Sequence, residues 1–190
     1  MLIYIIFISF SLLYPCYLMD TKTNSIECVI YSKEYQFEYL YNSIALPDHS
    51  KLIELNVFTM PIIQIKTYNR IKWQFISFRN NTYYMKNKST QEYLCAKSVF
   101  YGREMYRQTL GTEKYPHDNC IWGFELIETR KTDVLYRPEK IFYIWNVKYD
   151  KKLYPGSYFY KFDRHKRNVF LWHLKSSQSD QYKWIVNCHQ

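Results

Sequence analysis

Tyr143-Ile144-Trp145-Asn146, Lys152-Leu153-Tyr154, Val169-Phe170-Leu171-Trp172 and Tyr182-Lys183-Trp184 follow one another in the last third of the chain. Each is a short run of β-branched and aromatic residues, and turn-forming or charged residues such as Lys148-Tyr149-Asp150-Lys151 separate them. The series recurs upstream. Tyr84-Met85-Lys86-Asn87, Glu92-Tyr93-Leu94-Cys95 and Ile121-Trp122-Gly123-Phe124-Glu125-Leu126 make a second copy; Val29-Ile30-Tyr31, Glu38-Tyr39-Leu40-Tyr41 and Lys72-Trp73-Gln74-Phe75-Ile76 make a first. From leucine to closing tryptophan the three copies span 33, 28 and 31 residues, which differ only by the length of a loop.

Alternation of apolar with polar residues predicts half-buried antiparallel strands, four to a copy, and no amphipathic helix stands out. One unit of about 50 residues cannot shield its own apolar face, but three packed about a pseudo-threefold axis close a small barrel and remove its exposed edges. The expected fold is therefore all-β, a β-trefoil over residues 27–188, with Trp73, Trp122 and Trp184 packed inside the barrel.

The 190 residues carry 26 basic and 17 acidic side chains, a net charge of +9, and one residue in five is aromatic. So much burial potential excludes a disordered chain, and the length allows one domain. Four scattered glycines exclude a glycine-rich phosphate cradle, so no nucleotide cofactor is expected. Residues 1–19 hold no charged side chain; their apolar run ends at Pro15 and is shorter than the roughly 20 residues a membrane span needs. They are read as a signal peptide, which makes the protein secreted and extracellular. Cys16 leaves with that leader, and Cys28, Cys95, Cys120 and Cys188 remain for two disulfides, with three pairings open. Their separation excludes a CxxC metal or redox motif. Asn80-Asn81-Thr82 and Asn87-Lys88-Ser89 are glycosylation sequons and suit a glycoprotein.

The repeat pattern is similar to trefoil repeats of secreted insect proteins, among them mosquito salivary cysteine- and tryptophan-rich trefoil proteins and the C-terminal domain of moth haemolymph lipoproteins. The resemblance implies fold rather than activity, since trefoils include ricin-type lectins, growth factors, cytokines and plant protease inhibitors. The ricin-type closing triplet Gln-x-Trp is approached only as Gln181-Tyr182-Lys183-Trp184, one residue too long, which puts galactose pockets outside the resemblance. A closed trefoil brings its ends together, which implies a Cys28–Cys188 bond and leaves Cys95–Cys120 within the second unit.

Most of the net positive charge, +7 of the total +9, lies between Glu128 and Gln190. Lys161, Arg164, Lys166 and Arg167 fall between expected strands, and Lys148, Lys151 and Lys152 in the turn before them. Loops on a rigid barrel sit close together, so these seven are expected to form one cationic surface for sulfate or phosphate groups. Outside the cell the matching polyanion is an acidic or sulfated, heparin-like glycan, or an anionic membrane surface approached peripherally, rather than nucleic acid. Tyr154, Tyr158, Phe159, Tyr160 and Trp172 stand ready to stack on sugar faces.

The histidines His49, His117, His165, His173 and His189 form no HExxH, and no Gly-x-Ser-x-Gly elbow exists, so neither an enzyme nor a metal site is expected. The expectation is a secreted, monomeric, non-catalytic binding protein without cofactor. Its rival is a protein-binding trefoil, a clotting-protease inhibitor or cytokine-like ligand, whose loop 97–115 offers Arg103, Arg107 or Lys114 to a partner protein.

Overall fold

The computed structural model describes residues 25–43, 57–100, 108–131, 138–160, 163–173 and 180–189. The segment 1–19, expected to be a signal peptide, lies outside them. Among the described residues twelve strands fall into three groups of four: β1 (Ser25–Ser32), β2 (Glu38–Asn42), β3 (Val57–Pro61) and β4 (Lys72–Arg79); β5 (Thr82–Asn87), β6 (Tyr93–Phe100), β7 (Gln108–Glu113) and β8 (Ile121–Arg130); β9 (Glu139–Asn146), β10 (Lys151–Tyr160), β11 (Asp163–Trp172) and β12 (Lys183–His189). Helical geometry among the described residues is limited to short 3-10 turns. Three of these, Tyr68–Ile71, Asp118–Cys120 and Asp180–Tyr182, lead into the tryptophan strands.

The first and fourth strands of each group close a ring of antiparallel pairs, running β1, β4, β5, β8, β9, β12 and back to β1. The second and third strands form hairpins β2–β3, β6–β7 and β10–β11 that cap one end. β11 ties the cap together, pairing with β3 at Asn168↔Phe58 and with β7 at Phe170↔Thr109. A six-stranded barrel capped by three hairpins is the β-trefoil.

The repeat seen in the sequence is a repeated hydrogen bond. The indole N–H groups of Trp73, Trp122 and Trp184, each fully buried, donate to the carbonyls of Leu40, Leu94 and Leu153 at 3.1, 2.8 and 2.9 Å. Each bond ties a closing barrel strand to the first strand of the hairpin in its own unit, and satisfies the one polar atom of a large apolar ring. A second triplet, from the N–H groups of Lys33, Lys88 and Val147 to the carbonyls of Lys183, Lys72 and Ile121 at 3.0, 2.9 and 3.0 Å, obeys the same threefold relation. Leu40, Leu94, Leu153, Ile30, Met85 and Ile144 fill the interior around the tryptophans.

Both disulfides have the pairing implied by the resemblance. Cys28–Cys188 joins the first and last strands at directly opposed positions, across 160 residues of chain, and Cys95–Cys120 closes 25 residues of the second unit. In the third unit the same two positions, one after the leucine and two before the tryptophan, are held by Tyr154 and Tyr182. Their rings stack with centroids 5.6 Å apart.

Candidate functional site

Six of the seven cations expected to share a surface are among the described residues, and they divide between the two ends of β10. Lys148 lies in the turn before that strand, exposed, with its ammonium 5.6 Å from the Tyr149 ring centroid. Lys151 opens the strand opposite Asn146 and is buried, which lowers its pKa by desolvation. Lys152 bonds Glu125 at 3.3 Å and lies over the Tyr143 ring at 3.8 Å. Arg164, Lys166 and Arg167 belong to the far end, where Tyr160 pairs with Asp163. Lys152 pairs with Trp172 and Arg167 lies five residues before that tryptophan along β11, on the order of 17 Å away. Lys161 is outside the described residues.

Two of these cations are committed to the fold. Arg167 is buried and grips the Glu38 carboxylate with two bonds, Nε to Oε2 at 2.8 Å and Nη2 to Oε1 at 3.0 Å. Its remaining nitrogen donates to the carbonyls of Gly156 and Ser157 at 3.2 and 3.0 Å, and its plane lies between the rings of Tyr35 and Phe159. Lys166, also buried, bonds Asp163 at 3.1 Å. Burial opposes the Asp163 charge, but the His165 backbone N–H and the Lys166 ammonium outweigh it and hold the carboxyl below its usual range. The stretch from Lys161 to Arg167 was expected to lie between strands, and its described part begins at Asp163. That part is strand, because Asp163 and Glu38 neutralise the cations it buries. Of Arg164, Lys166 and Arg167, Arg164 is the exposed one.

Glu38 had a sequence signal of a kind. It and Glu92 recur two residues before the leucine, and each accepts a threonine hydroxyl, Thr59 at 2.7 Å and Thr112 respectively. The third unit replaces the acid by Lys151 and the threonine by Leu171.

The outer face of the third unit brings together residues that the sequence did not. Trp145, Lys152 and Trp172 stand opposite one another on three adjacent strands, so their side chains leave the sheet on one side. Trp145 lies across Gly123, where a Cβ would be 2.3 Å from its ring. Gln74 and Ile185 follow the tryptophan in the other units, and either would displace that ring. Trp172 packs on Tyr154 with centroids 5.4 Å apart, and Tyr154 on Phe170 and Tyr182. The result is a floor of buried aromatics with two partly exposed indoles on it. Lys152 stands between the indoles and Glu125 beside them. Trp145 and Gly123 were missed because register across strands, rather than spacing along the chain, unites them.

The sequons also separate. Asn80 is exposed in the turn between β4 and β5, with a left-handed φ of 34°. Asn87 is fully buried: its amide donates to the Arg70 and Lys72 carbonyls at 2.9 and 3.4 Å, and its Oδ1 accepts the Ser89 and Thr90 N–H groups at 3.0 and 3.3 Å. Asn87 is thus a turn-forming residue in the folded chain, not a presented glycan acceptor. Asn146, its counterpart in the third unit, donates to Asn119 O at 2.8 Å in the same way. Cys95, Glu113 and Cys120 come close enough to hold a metal, but the two sulfurs are bonded to each other. Of the rival loop, Lys114 is exposed beside Tyr115, while Arg103 and Arg107 lie outside the described residues.

Solved structures share this architecture. The designed threefold-symmetric protein ThreeFoil superposes with a TM-score of 0.57 at 12% identity, over 84% of this chain and 96% of that one. The BEL β-trefoil does so at 0.53 and 11%, over 90% and 99%, and the SDF2-like protein of Arabidopsis thaliana at 0.62 and 10%, over 85% and 92%. At such identities the likeness is one of fold. No protein-family model matches the chain, and no curated protein matches it in sequence.

Proposed function

We propose that this trefoil is a secreted, monomeric, non-catalytic binding protein that takes acidic sugars on the outer face of its third unit. The observation that carries this reading is the row Trp145, Lys152 and Trp172. Flat indoles offer apolar faces to sugar rings, and a few placed polar groups set orientation. Lys152, with Lys148 at the rim, supplies positive charge, and Glu125 accepts hydroxyl hydrogens. The two disulfides fit an oxidising compartment. A salivary or haemolymph role rests on the repeat resemblance alone.

A glycan array run at two salt concentrations tests this. Directional sugar recognition survives raised salt for particular acidic glycans and is lost in Trp172→Ala. Loss of all binding at physiological salt, or unchanged binding in Trp172→Ala, overturns it. The rival protein-binding reading has Lys114 and Tyr115 in its favour, exposed side by side. It requires salt-insensitive binding to a protease or receptor that Lys114→Ala abolishes.

A further inference from the structure

The opposite end of the third hairpin carries a second surface of different chemistry. Five large apolar side chains stand in solvent there: Ile63 is 86% exposed, Tyr158 73%, Phe37 67%, Phe159 48% and Ile62 39%. They come from three separate segments, the turn between β1 and β2, the 3-10 turn Ile62–Gln64 after β3, and the irregular stretch of β10 between Pro155 and Phe159. The fold binds these segments to one another. The Ile62 N–H donates to the Phe37 carbonyl at 3.2 Å, and Glu38 pairs with Pro61. Arg167, held by Glu38, lies 3.6 Å from the Tyr35 ring centroid and 4.4 Å from that of Phe159. The buried ion pair thus forms the base of an apolar patch and fixes its parts.

Single exposed hydrophobics are ordinary, but five from three linked segments are not. Their surroundings are basic. Lys66, two residues past the 3-10 turn, and Arg164, next to the residue that pairs with Tyr160, are exposed, and the acids Glu38 and Asp163 are occupied by Arg167 and Lys166. Glu34 is the exposed acid on these segments.

We propose that this patch docks the protein on an anionic lipid bilayer, with Phe37, Ile62, Ile63, Tyr158 and Phe159 entering the interface and Lys66 and Arg164 meeting acidic headgroups. Side chains that project from separate turns match a deformable, isotropic medium better than a partner's fixed relief. The basic rim complements the negative potential of such a membrane. Tyrosine at the water boundary suits the same depth.

The test uses the intact protein and vesicles of phosphatidylcholine alone or with three parts in ten phosphatidylserine, measured by co-sedimentation. Binding to the anionic vesicles is expected, weakened at least tenfold by Ile63→Asp with Tyr158→Asp and severalfold by Lys66→Ala with Arg164→Ala. Both pairs alter exposed side chains, and an unchanged thermal midpoint verifies folding. An Ile63→Trp variant is expected to shift its emission to the blue on vesicles and to be quenched by brominated lipid. No binding to anionic vesicles at low salt overturns the proposal, as does equal binding by the Asp pair, which means ion exchange only. Concentration-dependent dimerisation abolished by the Asp pair without vesicle binding assigns the patch to a second copy and also overturns it. Glycan binding through Trp172 is measured separately, so either proposal can fail alone.

Discussion

Trp184 and Leu153 are 31 residues apart in sequence and joined by a 2.9 Å bond from indole N–H to backbone carbonyl, wholly out of contact with water. Replacing Trp184 by Phe removes the donor and leaves the Leu153 carbonyl buried without it. The expected loss is about 1–3 kcal/mol from that orphaned group, and truncation to Ala raises the cost to about 3–5 kcal/mol. Urea unfolding measures both, and Trp73 and Trp122 should behave alike because they make the same bond. A Phe variant as stable as the parent contradicts this account.

Arg167→Ala leaves the Glu38 carboxylate buried without its partner and should cost about 3–5 kcal/mol. Replacing both members by apolar residues of similar size should restore much of that loss, because neither charge then needs neutralising. Denaturation midpoints of the single and double variants decide the point. Folded Arg167→Ala protein should bind acidic sugars as the parent does, since the guanidinium is not part of the outer aromatic row.

Acid should weaken the fold in a defined window. Asp180 is held below its usual range by bonds from Lys183 and Lys33; burial opposes the Glu27 and Asp163 charges but is outweighed, at Glu27 by Lys72 and Lys88. A carboxylate whose pKa falls on folding stabilises the protein above its unfolded value, and that contribution disappears as pH drops through the folded one. With ordinary values of 4.5 for Glu and 3.8 for Asp, the urea midpoint should be flat from neutrality to about pH 5 and fall steadily below 4.5. A midpoint equal at pH 5 and pH 3 refutes the assignment.

Expressed through a eukaryotic secretory route, the folded protein should carry glycan at Asn80 and not at Asn87. Asn80→Gln should abolish the mass shift produced by enzymatic deglycosylation. Asn87→Ala should leave that shift intact and destabilise by about 1–3 kcal/mol, since it strips a turn of four bonds.

The barrel was legible because its key contact lies inside each unit: leucine and tryptophan recur at nearly constant separation, and the ring is too large to escape notice. The cationic end was misread for the converse reason. Arg167 meets Glu38 across 129 residues, and nothing local distinguishes a polar strand with distant counter-charges from a solvated loop. The aromatic row was half visible: Trp172 was named, but its relation to Trp145 is a matter of strand register, and the value of Gly123 is only that it leaves room for a ring.

Because Cys28 is bonded to Cys188, the polypeptide from the first strand to the last is topologically a closed loop. A single proteolytic nick between those residues releases no fragment: outside the stretch from Cys95 to Cys120 it opens the loop to a line, and inside that stretch the second disulfide keeps the loop closed. The nicked molecule keeps its mass on a gel until a reductant is added, and its two new ends remain anchored through the barrel wall.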